Sequence, residues 1–263
     1  MDGLTRRQLL WGGAAAGLGA TAAGVGVWES SDDDDFRDFR PRLGGERLVT
    51  NEWAYRNPAG RGAHQSSDWL ATSGSLFARG GLGWTGRPDA GPTGPDSAGA
   101  TDSAVFRLVS RRRDFGPVTV SFRVRLRPPV TTPRTPKQDW DGAHIWLRYH
   151  SPQELYALSF SRRDGSVVIK RKVPSHDAES VDGGGYATVA EGRHSIGYDH
   201  WHHVEATAVN TSSGVRLRLA VDGSEVLRAI DRTPGPLTAP GGVGLRVDNT
   251  ELWFGDFWAR RVA

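Results

Sequence analysis

From Val118 to Leu126 the chain alternates without a break, with Val120, Phe122, Val124 and Leu126 on one parity and Ser121, Arg123 and Arg125 on the other. Successive strand residues point to opposite faces, so this pattern describes a strand with one face buried and the other wet, and no helix satisfies it. The same two-residue period recurs at 103–109, 143–149, 154–161, 166–172, 202–209, 215–221, 242–247 and 251–260. Asp164-Gly165 and Asp222-Gly223 sit between or beside such runs and suit tight hairpin turns, whose central residues need positive φ. Gly- and Pro-rich loops are expected at 83–100, 128–138 and 175–192, and no long stretch of the domain keeps an apolar stripe at helical spacing. The fold class is therefore all-β, and the expected architecture is an antiparallel β-sandwich of the jelly-roll type.

The first 28 residues have a different character. Thr5-Arg6-Arg7-Gln8-Leu9-Leu10 precedes a stretch from Trp11 to Val27 made only of Gly, Ala, Thr, Leu, Val and Trp. A charged head followed by a weakly apolar run is an export leader, and the paired arginines resemble the twin-arginine signal that carries folded proteins outward. Ala20 and Ala22 offer a cleavage site; an uncleaved leader would instead hold the protein on the outer side of the membrane. Residues 29–46, with Asp32-Asp33-Asp34-Asp35, are expected to be an acidic disordered linker, leaving 47–263 as one globular domain. The absence of cysteine excludes disulfides, thiolate metal sites and a cysteine nucleophile. The net charge is only +3 and the basic residues are dispersed along strands, which excludes a nucleic-acid partner. The domain is expected to be secreted and monomeric.

Several short segments, taken in order, carry a family likeness. They are the opening with Trp53, Trp69-Leu70 and Gly74-Ser75-Leu76; Arg113-Asp114-Phe115-Gly116 before the strand at Val118; Asp141-Gly142-Ala143-His144-Ile145-Trp146-Leu147-Arg148-Tyr149; and Asp199-His200-Trp201-His202-His203-Val204-Glu205. Leu219-Ala220-Val221-Asp222-Gly223, Gly241-Gly242-Val243-Gly244-Leu245-Arg246 and Phe254-Gly255-Asp256-Phe257 follow. This order resembles the concanavalin A-like lectin and glucanase superfamily, especially laminin-G-like and 3-keto-disaccharide hydrolase-like domains. The resemblance implies a jelly roll and an extracellular carbohydrate partner. It does not choose between lectin, hydrolase and lyase, because one fold hosts all three.

The residues themselves supply candidates. If Ile145, Leu147 and Tyr149 face the core, His144, Trp146 and Arg148 face outward in one row. An aromatic ring can stack on a sugar while Arg forms paired hydrogen bonds to hydroxyls or a carboxylate. Trp140, Tyr156, Lys170 and Lys172 complete the expected carbohydrate-binding set, and the arginine-rich faces tilt the partner toward anionic glycans. A lyase would use His144, Arg148, Tyr156 and Lys170 as catalytic groups, although the Gln-x-His and Tyr-x-Lys signatures of the lyases on this fold are absent. A retaining glucanase would need clustered acids that are not found here, Asp139 and Asp141 being the nearest pair. The run His200-Trp201-His202-His203 can turn only alternate residues to one side, which is too few for zinc. By the resemblance, Glu52 and Asp256 occupy the places of a structural calcium site. The reading is a secreted domain that binds an extracellular poly- or oligosaccharide. The alternatives are a single-domain polysaccharide-degrading enzyme and a structural or adhesion domain.

Overall fold

A computed structural model of the chain describes residues 38–91, 105–177 and 183–262. The expected leader lies outside the described residues, as does half of the expected spacer. In chain order the elements are β1 (Arg47–Asn51), α1 (Glu52–Arg56), β2 (Trp69–Ser73), β3 (Ser75–Arg79), β4 (Leu82–Trp84), β5 (Val105–Ser110), β6 (Val118–Leu126) and β7 (Gly142–Ser151). They continue as β8 (Glu154–Arg162), β9 (Ser166–Pro174), β10 (Gly184–Arg193), β11 (His202–Thr211), β12 (Gly214–Val221), β13 (Ser224–Asp231), β14 (Gly242–Asp248) and β15 (Leu252–Arg261). Two antiparallel sheets form, one of eight strands in the order β1-β3-β4-β15-β6-β11-β12-β13 and one of seven in the order β10-β9-β8-β7-β14-β5-β2. This is the expected β-sandwich.

The core lies between the sheets and follows the alternation. Val120, Phe122, Val124 and Leu126 of β6 face Ile145 and Leu147 of β7, all without solvent exposure. Phe122 stacks on Phe257 at 5.6 Å, and burial of a side chain of this size stabilises by about 1.5–3 kcal/mol. Asp222 (φ 51) and Gly223 (φ 79) both take the left-handed conformation at the β12–β13 hairpin, as a type I′ turn requires.

Three expectations are corrected. The domain begins before Arg47: Phe39 pairs with Ala259 through a backbone bridge and packs edge-on against Trp69 at 5.1 Å and Phe115 at 5.7 Å, and Leu43 is also buried. Polar and charged neighbours hide these two anchors in the sequence. The stretch 175–192, expected as a loop, contains most of β10, which pairs with β9 from Gly184 to Arg193. As an edge strand it has only one neighbour in its sheet, so its polar sequence shows no buried parity. Within 83–100, Gly83 and Trp84 belong to β4.

Candidate functional site

The outer face of the seven-stranded sheet carries a groove, and strand pairing sets its rows. Arg107 (β5), Arg246 (β14), His144 (β7) and Ser159 (β8) are successive partners across four strands. A second row runs from Gly244 through Trp146 and Ala157 to Lys170. Leu155, Lys172 and Tyr186 form a third across β8, β9 and β10. Two adjoining hollows, of about 220 and 230 Å³, lie along these rows and share Tyr186 and Arg246 in their walls. The first is bounded by Trp140, His144, Ser159, Arg162 and Lys170, the second by Tyr55, Arg107, Trp146, Tyr149 and Lys172 among others.

Trp140 and Tyr55 are each 48% exposed, so their faces are open. Trp146 and Tyr149 instead form the floor, stacked on one another at 5.4 Å and 17° within a small apolar cluster with Val109, Leu155 and Ala157. The indole Nε1 of Trp146 is buried and has no hydrogen-bond partner among the described residues. A buried donor without an acceptor costs about 1–3 kcal/mol.

His144 donates or accepts at Nδ1 with Ser159 Oγ at 2.7 Å, and its Nε2 lies 3.2 Å from Asp248 Oδ2 without the alignment of a hydrogen bond. Arg246 grips the same carboxylate with two hydrogen bonds of 2.8 and 3.0 Å. Burial pushes the His144 pKa down, against the opposing pull of Asp248, so the ring is neutral near pH 7. Asp248 is held well below the usual carboxylate range: burial alone would raise it, but Arg246 and His144 outweigh that. Burial also lowers Lys170, helped by the positive charge of Arg162. The groove walls thus hold Arg107, Arg162, Lys170, Lys172 and Arg246, while none of the described residues lining either hollow is Asp or Glu.

Of the seven expected carbohydrate-binding residues, the structure brings Trp140, His144, Trp146, Lys170 and Lys172 to this groove. Arg148 and Tyr156 are not there. Arg148 takes φ 51 at a bulge where the β7–β8 register shifts, and the extra residue reverses the parity of the strand. Its guanidinium reaches the opposite sheet, donating to Asn210 Oδ1 at 3.0 Å, Ala239 O at 3.2 Å and Phe115 O at 3.3 Å, while Tyr149 swings out to the groove. Burial lowers the Arg148 pKa to about 10. Tyr156 is a core residue whose hydroxyl donates to Asp231 Oδ2 at 2.6 Å and accepts from Leu237 N at 3.0 Å. The four groups a lyase was expected to use are therefore split between the groove and the interior, and among the described residues no carboxylate pair lines the groove as glycoside hydrolysis would need.

The acids expected to hold calcium do not fit such a site. Glu52 is buried, accepting from Arg56 Nη2 and from Gly74 N at 3.0 Å. Asp256 points outward and pairs with Arg123 at 2.8 Å. Among the described residues no group of three or more His, Asp or Glu side chains converges as a metal ion requires. Asp141 is likewise occupied, accepting from Arg163 Nε and Nη2 at 3.1 and 2.9 Å and from Asn249 Nδ2 at 3.0 Å.

Sequence reasoning missed Arg246, Asp248, Ser159, Arg162, Arg107, Tyr186 and Tyr55. The outward parity of Arg246 in the alternating Gly242–Asp248 strand was a usable signal. Its place beside His144 was not, because strand pairing joins residues far apart in the chain.

No protein-family model and no curated protein sequence matches the chain. Solved structures do. One comes from work on endo-acting O-glycanases of prominent human gut microbiota members that initiate mucin breakdown; it is 10% identical with a TM-score of 0.54, over 86% of this chain and 99% of that one. The carbohydrate recognition domain of Emp46p, in its metal-free form, is 12% identical with a TM-score of 0.51, over 84% of this chain and 97% of that one. A carbohydrate binding module of Bacillus subtilis, CBM66, is 15% identical with a TM-score of 0.47, over 72% and 92%. At these identities the likeness is one of fold, and the chain has the antiparallel β-sandwich fold expected from its sequence.

Proposed function

We propose that the protein is an exported carbohydrate-binding domain that holds a segment of an extracellular poly- or oligosaccharide, with acidic sugars preferred, in the groove of the seven-stranded sheet. The observation that carries this reading is the composition of the groove: exposed aromatic side chains at Trp140 and Tyr55, a stacked Trp146–Tyr149 floor, and five cationic side chains with no Asp or Glu among the described lining residues. Aromatic faces take the apolar side of a pyranose, and guanidinium and ammonium groups take hydroxyls and carboxylates. The lack of an acid pair among the described lining residues favours binding over hydrolysis.

The test is affinity electrophoresis of the purified protein through gels containing neutral or uronate polysaccharides, with product analysis on the same mixtures. Retention without products is expected, and Trp140→Ala or Lys170→Ala should weaken it by roughly tenfold, the equivalent of about 1.4 kcal/mol. Retention indifferent to both substitutions, or absent for every polymer, would remove the groove reading. New reducing ends or unsaturated uronates would make the protein an enzyme.

A further inference from the structure

The opposite face of the sandwich carries a second concentration of arginine and tryptophan that the groove does not use. On the outer surface of the eight-stranded sheet, Phe77, Trp84, Trp253 and Arg125 are successive partners across β3, β4, β15 and β6. Trp84 and Trp253 stack at 5.3 Å and 25°. Arg79 lies over Trp84 at 3.9 Å, and Arg125 lies over Trp253 at 5.5 Å and over Trp201 at 5.2 Å. Both indole N–H groups of the central pair donate to one oxygen, Glu251 Oε1, at 2.8 and 2.9 Å. The two rings are thereby fixed as a rigid rib, with guanidinium groups stacked at its ends.

The charges around this rib are poorly balanced. Arg79, Arg87, Arg125 and Arg127 line a hollow of about 390 Å³ in which Glu251 is the one carboxylate among the described residues. Arg127 is paired with Asp199 at 2.7 Å, whereas Arg79, Arg87 and Arg125 have no ion-pair partner among the described residues. Arg125 Nε is buried and has no hydrogen-bond partner there. Arginines that stack on aromatic faces keep their N–H edges free for an oxyanion, and several converging forks suit a group with three terminal oxygens better than the two of a carboxylate.

We propose that this hollow is a second binding site, for the sulfate or phosphate ester groups of a polysaccharide, formed by Arg79, Arg87 and Arg125 around the Trp84–Trp253 stack. It is independent of the groove and stands or falls separately from it. With both sites filled, one molecule would hold glycan on two opposite faces.

The test uses dextran sulfate, phosphorylated dextran, carboxymethyl-dextran of matched charge density and neutral dextran, with binding followed by titration of the purified protein. Dextran bearing one or both ester groups should bind at least about tenfold more tightly than carboxymethyl-dextran, and Arg79→Gln combined with Arg87→Gln should lower that affinity by tenfold or more. Trp140→Ala in the groove should leave the ester-specific affinity unchanged. The indole N–H resonances of Trp84 and Trp253, followed in the unaltered protein while inorganic sulfate or phosphate is added, should shift while that of Trp140 does not. This readout stands even where a variant fails to fold. Equal binding of carboxymethyl-dextran, absence of ester-dependent binding, loss of that binding in Trp140→Ala, or shifts confined to Trp140 would each overturn the proposal.

Discussion

Replacing Tyr156 with Phe removes one oxygen from the core and leaves the ring in place. That oxygen makes two hydrogen bonds, one given to the buried carboxylate of Asp231 at 2.6 Å and one taken from Leu237 N at 3.0 Å. A hydrogen bond to a charged group contributes about 1.5–3 kcal/mol, and the Leu237 donor would be left buried without a partner at a cost of about 1–3 kcal/mol. Partial compensation is available, since Arg171 Nη1 stands 3.5 Å from the same Asp231 oxygen and can close in. The expected loss is therefore about 3 kcal/mol, which for a domain of this size lowers Tm by roughly 6–12 °C. Urea unfolding followed by circular dichroism should show the midpoint fall with an unchanged slope. Polysaccharide retention in the folded variant should stay at the level of the parent. A loss under about 1 kcal/mol would refute the assigned hydrogen-bond network, and a folded variant that no longer retains glycan would refute the placement of Tyr156 away from the groove.

Gly142→Ala should destabilise by at least about 3 kcal/mol, because φ is +143 there and a Cβ would stand 1.7 Å from the Ser161 carbonyl oxygen; thermal melting of the variant checks it. Deleting residues through Glu46 should cost about 3–5 kcal/mol in urea unfolding, the loss of Phe39 from its aromatic cluster. The burial-lowered pKa of His144 makes stability fall with acidity: below about pH 6.5 the unfolded chain takes up a proton that the folded ring resists. That contribution is intact above pH 6.5 and shrinks as pH falls toward the folded value, so the stability of His144→Gln measured across the same range should have a flatter slope.

The sandwich was legible wherever one strand face is wet. In β6 the outward Arg123 and Arg125 contrast with inward Phe122 and Val124, and the expected and observed ends coincide. In β8 the contrast vanishes, because Leu155 and Ala157 pack into the apolar cluster beneath the groove while Tyr156, Leu158 and Phe160 pack into the main core. Nothing in the residue types then says which parity holds Tyr156, and a polar-tipped aromatic was assigned to the groove. Arg148 was misplaced for a different reason. Its parity is right for an ideal strand, and only the bulge, a backbone event, turns it inward. Trp140, Lys170 and Lys172, expected from the aromatic and cationic types that suit a sugar, line the groove. Tyr186 escaped because its edge strand has no buried parity to reveal it.

The single extra residue at Arg148 works like a shift of reading frame within β7. Upstream of it the groove face reads His144 and Trp146; downstream it reads Tyr149, three positions on, which is how one strand delivers two rings at stacking distance. Flattening the bulge with every residue kept would restore simple alternation, send Tyr149 toward the interior and bring Arg148 and His150 to the groove, whereas deleting Arg148 outright would leave Tyr149 facing the groove. The presence or absence of the bulge can therefore rewrite the floor of the groove while leaving the residues of β6, β14 and β15 untouched. Change of ligand in proteins of this architecture can proceed by a shift of strand register as well as by substitution.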